Sequence, residues 1–193
     1  MPVDTAAAPD LNCPGSSGAR PCTLPDMPTL QVEGPYEVNF WLNDRGTKHI
    51  EAEQGREFFE EWEGLAECRG CYIFAIRSGR GIRGAYVGKA TKGFAQEVFA
   101  VDKLQKYNTA LHRWDHGSPV LIFVVMPAGT RSGKVIREVE EYLIRSVKRA
   151  WPDILNKHHT GADDWEIAGV TADQPGRQSS SVVALAQLLR FGK

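Results

Sequence analysis

Nowhere in the 193 residues does an apolar run approach the roughly 20 needed to cross a bilayer, so a membrane-spanning helix is not expected. The stretch from Met1 to Asp10 lacks the basic start and apolar segment of a secretory signal, and a cytoplasmic protein is expected. Internal repeats are also missing, which argues against a solenoid or propeller. Cysteine is scarce. Cys68 and Cys71 form a C-x-x-C, while Cys13 and Cys22 are loosely spaced in a Pro/Gly/Ser-rich stretch. A four-thiolate zinc site wants two close pairs, so reduced, unmetallated thiols are expected instead.

Net charge is nearly absent too, at -1, and a neutral total argues against a nucleic-acid partner. The total hides a segregation. Residues 68–149 hold 15 Lys+Arg against 6 Asp+Glu, a net +9. Residues 1–67 hold 4 against 13, a net -9, and residues 150–193 hold 4 against 5. A basic block of that kind is the footprint of a phosphate-binding module, unless the acidic region neutralises it in the fold. The apolar and charged fractions, 42% and 24%, are those of an ordinary soluble chain, long enough for one domain and an extension.

Residues 1–30 are Pro-, Gly-, Ser- and Ala-rich without periodicity and read as a flexible tail. Residues 31–67 form an acidic extension expected to pack on the core, with a strand over 36–42 and a helix over 55–67. The core is placed at 68–157. Its strands fall at 71–77 and 85–88, joined by a basic Gly-rich turn into a hairpin; a helix follows over 94–107. An all-apolar strand over 119–126 implies burial on both faces. A last long helix runs from an N-cap at Ser132 to about Arg149, stopped by Pro152. A C-terminal extension, 158–193, holds an edge strand over 165–170 and a helix over 181–189. The fold class is α/β in the broad sense: a mixed α+β layer in hairpin–helix–strand–helix order around a small central sheet.

Within the last long helix, at about 100° per residue from Val139, Glu140 falls at about +100°, along the edge of the apolar face. Glu138 and Glu141 fall on the polar side. A carboxylate so aimed needs a cation, a donor or a metal, and a salt bridge to a neighbouring Lys or Arg satisfies it. Tyr72 and Tyr86 lie on paired strands and can share a face, as packing tyrosines also do. The run Gly79-Arg80-Gly81-Ile82-Arg83-Gly84 joins two strands, which rules out a dinucleotide fingerprint. His112, His116, His158 and His159 read as surface histidines rather than a second metal site.

Gly-x-Tyr at 70–72, Tyr86-Val87-Gly88-Lys89-Ala90, a helix, an apolar strand, Glu140-x-x-Leu143-Ile144, then Pro152 and Leu155-Asn156 together resemble the GIY-YIG nuclease superfamily. The likeness covers about 70–156, under half the chain; the flanking segments read as elaborations. It implies a metal-dependent endonuclease acting on nucleic acid, DNA in preference to RNA, with no membrane partner. Glu140 would hold one Mg²⁺ or Mn²⁺. Tyr72 matches the tyrosine proposed to activate water, Tyr86 its partner, and Lys89 a lysine placed to contact phosphate. Gly88 and Asn156 would brace the site, and Arg80, Arg83 and Lys92 would line the nucleic acid.

The chain departs from the pattern in the helix after Tyr-Val-Gly, where the family carries a phosphate-contacting arginine. Glu97 takes that place, or Gln96 without a one-residue insertion. With Phe94 at 0°, one continuous helix puts Glu97 at about -60°, beside Val101 and Leu104, and turns Lys103 and Lys106 away, at about 180° and 120°. Glu97 could assist a metal, pair with Lys89, Arg80 or Arg83, or mark a degenerate site. The last case leaves the alternative function, a non-catalytic nucleic-acid-binding or interaction module on the same fold.

Overall fold

The apolar run centred on Leu121 becomes strand β6 (Ser118–Val125), the middle of a five-stranded sheet. Both its faces are covered, as a run without polar alternation requires. The computed structural model describes residues 28–79, 81–129, 133–156, 166–170 and 176–189. Among them, β1 (Thr29–Glu37) is followed by a small hairpin of β2 (Trp41–Leu42) and β3 (Lys48–His49), then α1 (Ala52–Glu61) and α2 (Glu63–Ala66). Next come β4 (Gly70–Ser78), β5 (Gly81–Ala90), α3 (Phe94–Glu97), α4 (Val101–Arg113) and β6. The last elements are α5 (Gly133–Ala150), β7 (Glu166–Ile167) and α6 (Ser180–Leu189). The fold is mixed α+β. No helix of the described residues is long and apolar enough to cross a membrane.

The sheet order is β5-β4-β6-β1-β7, antiparallel except for the parallel pair of β1 with β7. Strand alternation sends side chains to opposite faces. Cys71, Ile73, Ala75 and Val87 join Ile136, Val139, Leu143 and Val147 of α5 and Leu185 and Leu188 of α6 in one core. Tyr72, Phe74, Ile76 and Tyr86 join residues of α1, α3 and α4 in the other. Helices therefore cover both sides of one small sheet.

Several expected boundaries move. The first strand begins at Thr29, not Tyr36, and lies inside the sheet against β6, so the acidic extension supplies a core strand rather than a layer packed outside. Gly34-Pro35 is a local break signal inside this strand. The register shift between Glu33 and Tyr36 shows that the strand absorbs it as a bulge, so Leu30 and Val32 face one core while Tyr36 and Val38 pack in the other. Gly34 makes this possible: its φ is +100°, and a Cβ there would meet the Leu121 carbonyl oxygen at 2.7 Å. The helix expected over 55–67 starts earlier and splits at Trp62. Most of the expected tail, Ser132, and His158 and His159 lie outside the described residues.

The most consequential change is in the helix expected over 94–107. It is broken: α3 ends at Glu97, and Ala100 adopts an extended conformation (φ -61°, ψ 151°) before α4 begins. A continuous helix would put Phe99 about 140° from Phe94. The break buries both rings, Phe94 at 4.7 Å from the Phe123 ring and Phe99 at 5.6 Å from that of Phe58. Val101, expected inside, is 74% exposed.

Candidate active site at the edge of β5

Strand β5 is an edge strand whose successive residues look to opposite sides of the sheet, and the candidate residues gather along it. Lys89 points to the α5 side. Its Nζ lies 2.5 Å from Oε2 of Glu140, which is 9% exposed in the middle of α5. The cation that a carboxylate at the rim of an apolar face requires is thus Lys89, the residue that the resemblance puts beside phosphate. No other donor among the described residues reaches Glu140.

Tyr86 points to the opposite face and is 6% exposed. Its ring carries the ammonium of Lys106 at 4.4 Å, and Lys106 Nζ lies 3.4 Å from its hydroxyl. Burial raises the Tyr86 pKa well above the ordinary phenol value, and the charges of Glu140 and Asp102 add to it. Glu140 is therefore felt across the strand although it sits on the other face. Tyr86 is protonated at neutral pH, a hydrogen-bond donor and not a base.

Tyr72 is brought beneath the site rather than into it. It is 0% exposed, its ring 6.3 Å from Tyr86 and 6.5 Å from Phe94. Its hydroxyl abuts Gly88, and no group among the described residues makes a hydrogen bond of ordinary geometry to it. The nearby Tyr107 hydroxyl donates to the Val98 carbonyl at 2.6 Å. Burial, with Tyr107 and Tyr86 adding, holds the Tyr72 pKa far above the phenol range. The expected water-activating role does not suit a phenol so enclosed and so weakly acidic. Gly88 is there because a Cβ would fall 2.4 Å from the Tyr72 ring end.

The segment after α5 closes the edge. Asn156 Nδ2 donates to the Val87 carbonyl at 2.7 Å, and its Oδ1 accepts from the Val87 N–H at 2.8 Å. Leu155 N donates to the Ala85 carbonyl at 2.9 Å, where Ala85 bulges out of register with β4. One side chain thus satisfies backbone groups that an edge strand leaves open. The bracing role expected of Asn156 has a direct geometric basis. Arg83 is committed elsewhere: its Nη2 lies 2.5 and 2.6 Å from the two carboxylate oxygens of Asp153, with the guanidinium between the rings of Trp114 (4.6 Å) and Trp151 (4.9 Å). It locks the same closing segment rather than waiting for a ligand.

Lys92 is exposed in the turn after β5, and Arg80 lies outside the described residues. Glu97 is half-buried on the four-residue α3 and has no ion pair among the described residues; Lys89 and Arg83, two of its expected partners, are taken by Glu140 and Asp153. No group of three or more His, Cys, Asp or Glu that could hold a metal occurs among the described residues. His112 and His116 are exposed. Cys68 Sγ donates to the Gly64 carbonyl and buried Cys71 Sγ to that of Ile136, so the two thiols serve different elements.

Lys106 is the site residue that the sequence reading turned away. Its signal was the pair Phe94 and Phe99, which no single helix can bury together. Restarted at Val101, the helical wheel puts Lys106 about 40° from buried Ala110 and about 100° from Tyr107, at the rim of the inner face. Comparison with protein-family models, with curated proteins and with solved structures returns no match to this chain.

Proposed function

We propose that the chain is a metal-dependent endonuclease of GIY-YIG type that hydrolyses phosphodiester bonds in nucleic acid, DNA in preference to RNA. The observation that carries this reading is the Lys89–Glu140 pair at 2.5 Å, held on the edge strand next to the Tyr86–Lys106 contact. An acid and a base of that kind, a phenol donor and a second ammonium suit an anionic ester better than a neutral substrate. The +9 charge of residues 68–149 supports the same partner.

The donor set fits a hard divalent cation, because Mg²⁺ and Mn²⁺ accept one protein carboxylate and complete their shell with water and phosphate oxygens. Glu140 would hold the ion, which supplies charge neutralisation at the phosphate and leaving oxygen. Lys89 exchanges its carboxylate for a phosphate oxygen as substrate arrives. Tyr86 donates its hydroxyl proton in a hydrogen bond to the phosphate, and Tyr72 supports the Tyr86 ring from below. Asn156 keeps the strand from shifting while Lys89 changes partner.

The test is cleavage of duplex DNA with MgCl₂ or MnCl₂. Glu140→Gln, nearly isosteric, is expected to lose cleavage by about 100-fold or more while DNA binding survives. Unchanged cleavage in this variant would overturn the reading. A second reading is favoured by one feature, the tight cap that Lys89 already places on Glu140: a binding module without catalysis. Binding without cutting under either metal selects it.

A further inference from the structure

Strand β1 has a neighbour on its outer side only at Thr29 and Leu30, where β7 pairs with it. From Gln31 onward no strand among the described residues covers that edge. A cavity of about 840 Å³ opens there, between Glu61 and Trp62 at the end of α1 and Ser180 at the start of α6. The bulge at Gly34 shapes its wall. In a regular strand Glu33 and Tyr36, three residues apart, would look to opposite faces. The bulge brings them together, and the Tyr36 hydroxyl donates to Glu33 Oε2 at 3.2 Å. The Tyr36 ring in turn lies 4.3 Å from that of Trp62.

We propose that this cavity receives an arginine side chain from an extended segment of a partner polypeptide, its guanidinium on the Glu33 carboxylate and against the Tyr36–Trp62 rings. The site stands apart from the one on β5, with β4 and β6 between the two strands, so it does not depend on the nuclease reading.

Glu33 is a half-buried acid without a cation. The Tyr36 hydroxyl is the one hydrogen-bond partner of its carboxylate among the described residues. Desolvation raises its pKa, and no positive charge opposes that rise. A carboxylate so placed gains most from an ion pair. Glu37, which also lines the cavity, is already engaged by Arg77 at 3.1 Å.

The chain itself shows which cation suits such a partner set. Arg83 is held by the Asp153 carboxylate with its guanidinium between two aromatic rings. The β1 cavity offers a carboxylate beside two aromatic rings, and no arginine of the described residues lines it. A planar, weakly hydrated guanidinium stacks on a ring while it bonds a carboxylate, which a compact ammonium does less well. The open edge of β1 adds main-chain donors and acceptors, which an extended peptide can pair and a free guanidinium cannot.

The test is isothermal titration calorimetry of the full-length chain with a capped Thr-Thr-Arg-Thr-Thr peptide. One-to-one binding is expected, with a Kd of about 0.1–1 mM. The same peptide with citrulline, neutral and of the same shape, is expected to bind about 10-fold more weakly or worse. Glu33→Gln keeps an acceptor for Tyr36 and removes the charge; it is expected to weaken binding of the arginine peptide by about 10-fold or more. Glu57→Gln, exposed on α1 and outside the cavity, is expected to leave binding unchanged. A Glu33→Gln melting curve no lower than that of the unaltered chain establishes that its fold is intact. Methylguanidinium chloride is expected to bind about 5-fold more weakly than the peptide or worse. No saturable binding of the arginine peptide overturns the proposal, as does equal binding by the citrulline peptide or by the Glu33→Gln chain. Methylguanidinium that binds as tightly as the peptide overturns the polypeptide partner. DNA cleavage enters none of these measurements, so the nuclease reading stands or falls separately.

Discussion

Gly88 and Tyr72 face each other across the β4–β5 hairpin, and each is defined by the other. Tyr72 is fully enclosed, so its ring cannot swing aside to admit a methyl group that would sit 2.4 Å from its Cζ and hydroxyl oxygen. Gly88→Ala is expected to cost about 1–3 kcal/mol in urea denaturation, the usual range for overpacking a filled core. Gly79→Ala, with nothing within 4 Å of the added carbon, is expected to stay within about 0.5 kcal/mol and serves as the comparison. The two tyrosines also part company at this scale. Both phenols stay protonated through neutral pH, but only Tyr86 lies beside an ammonium at the rim, and Tyr72 acts through the ring it supports.

Among the elements, the short gap between α3 and α4 decides where the positive charge goes. Because α4 starts afresh at Val101, its register owes nothing to Phe94, and Lys106 arrives at Tyr86. The start is uncapped: Ala100 has the extended geometry of an N-cap and no side chain to bond the first-turn N–H groups. Ala100→Ser is expected to stabilise the chain by about 1 kcal/mol in thermal or urea unfolding, without altering the site. The same gap marks the limit of what was legible in the sequence. Strands β4 and β6 could be read because β-branched and aromatic runs between turn residues are a local signal, and Glu140 because α5 is unbroken over 18 residues. The α3–α4 break could not be read the same way, since it is driven by Phe58 and Phe123 from distant parts of the chain. Strand β1 was misplaced for a related reason: Gly34-Pro35 is a local stop signal that β6 overrides by pairing on both sides of it. The tyrosines and Glu140 were legible as motif residues. That Tyr86 and Glu140 lie on opposite sides of the edge strand β5 is a property of register, which the motif does not encode.

At the scale of the whole molecule, a loss of stability from acid toward neutral pH follows from a carboxyl that the fold holds against its preference. Glu33 on β1 is half-buried, and desolvation raises its pKa above the ordinary 4.5 although the Tyr36 hydroxyl donates to it at 3.2 Å. A carboxyl whose folded pKa is raised favours the folded state most below its unfolded value, and that contribution is lost as pH climbs through the folded one. Glu33→Gln keeps an acceptor for Tyr36 and removes the charge. It is expected to melt about 1–2 °C above the unaltered chain at pH 7, with the two curves converging below about pH 4.5, as followed by circular dichroism.

The clamp that Asn156 places on Val87 spans 69 residues of sequence, whereas β4 and β5 are neighbours in the chain. Loop-closure entropy makes the hairpin the earlier event and the clamp the later one. In between, the outer backbone groups of β5 are an open strand edge, the template on which a second chain can add. The asparagine that steadies the candidate site in the finished protein is therefore also a guard during folding, sealing the edge most exposed to intermolecular pairing.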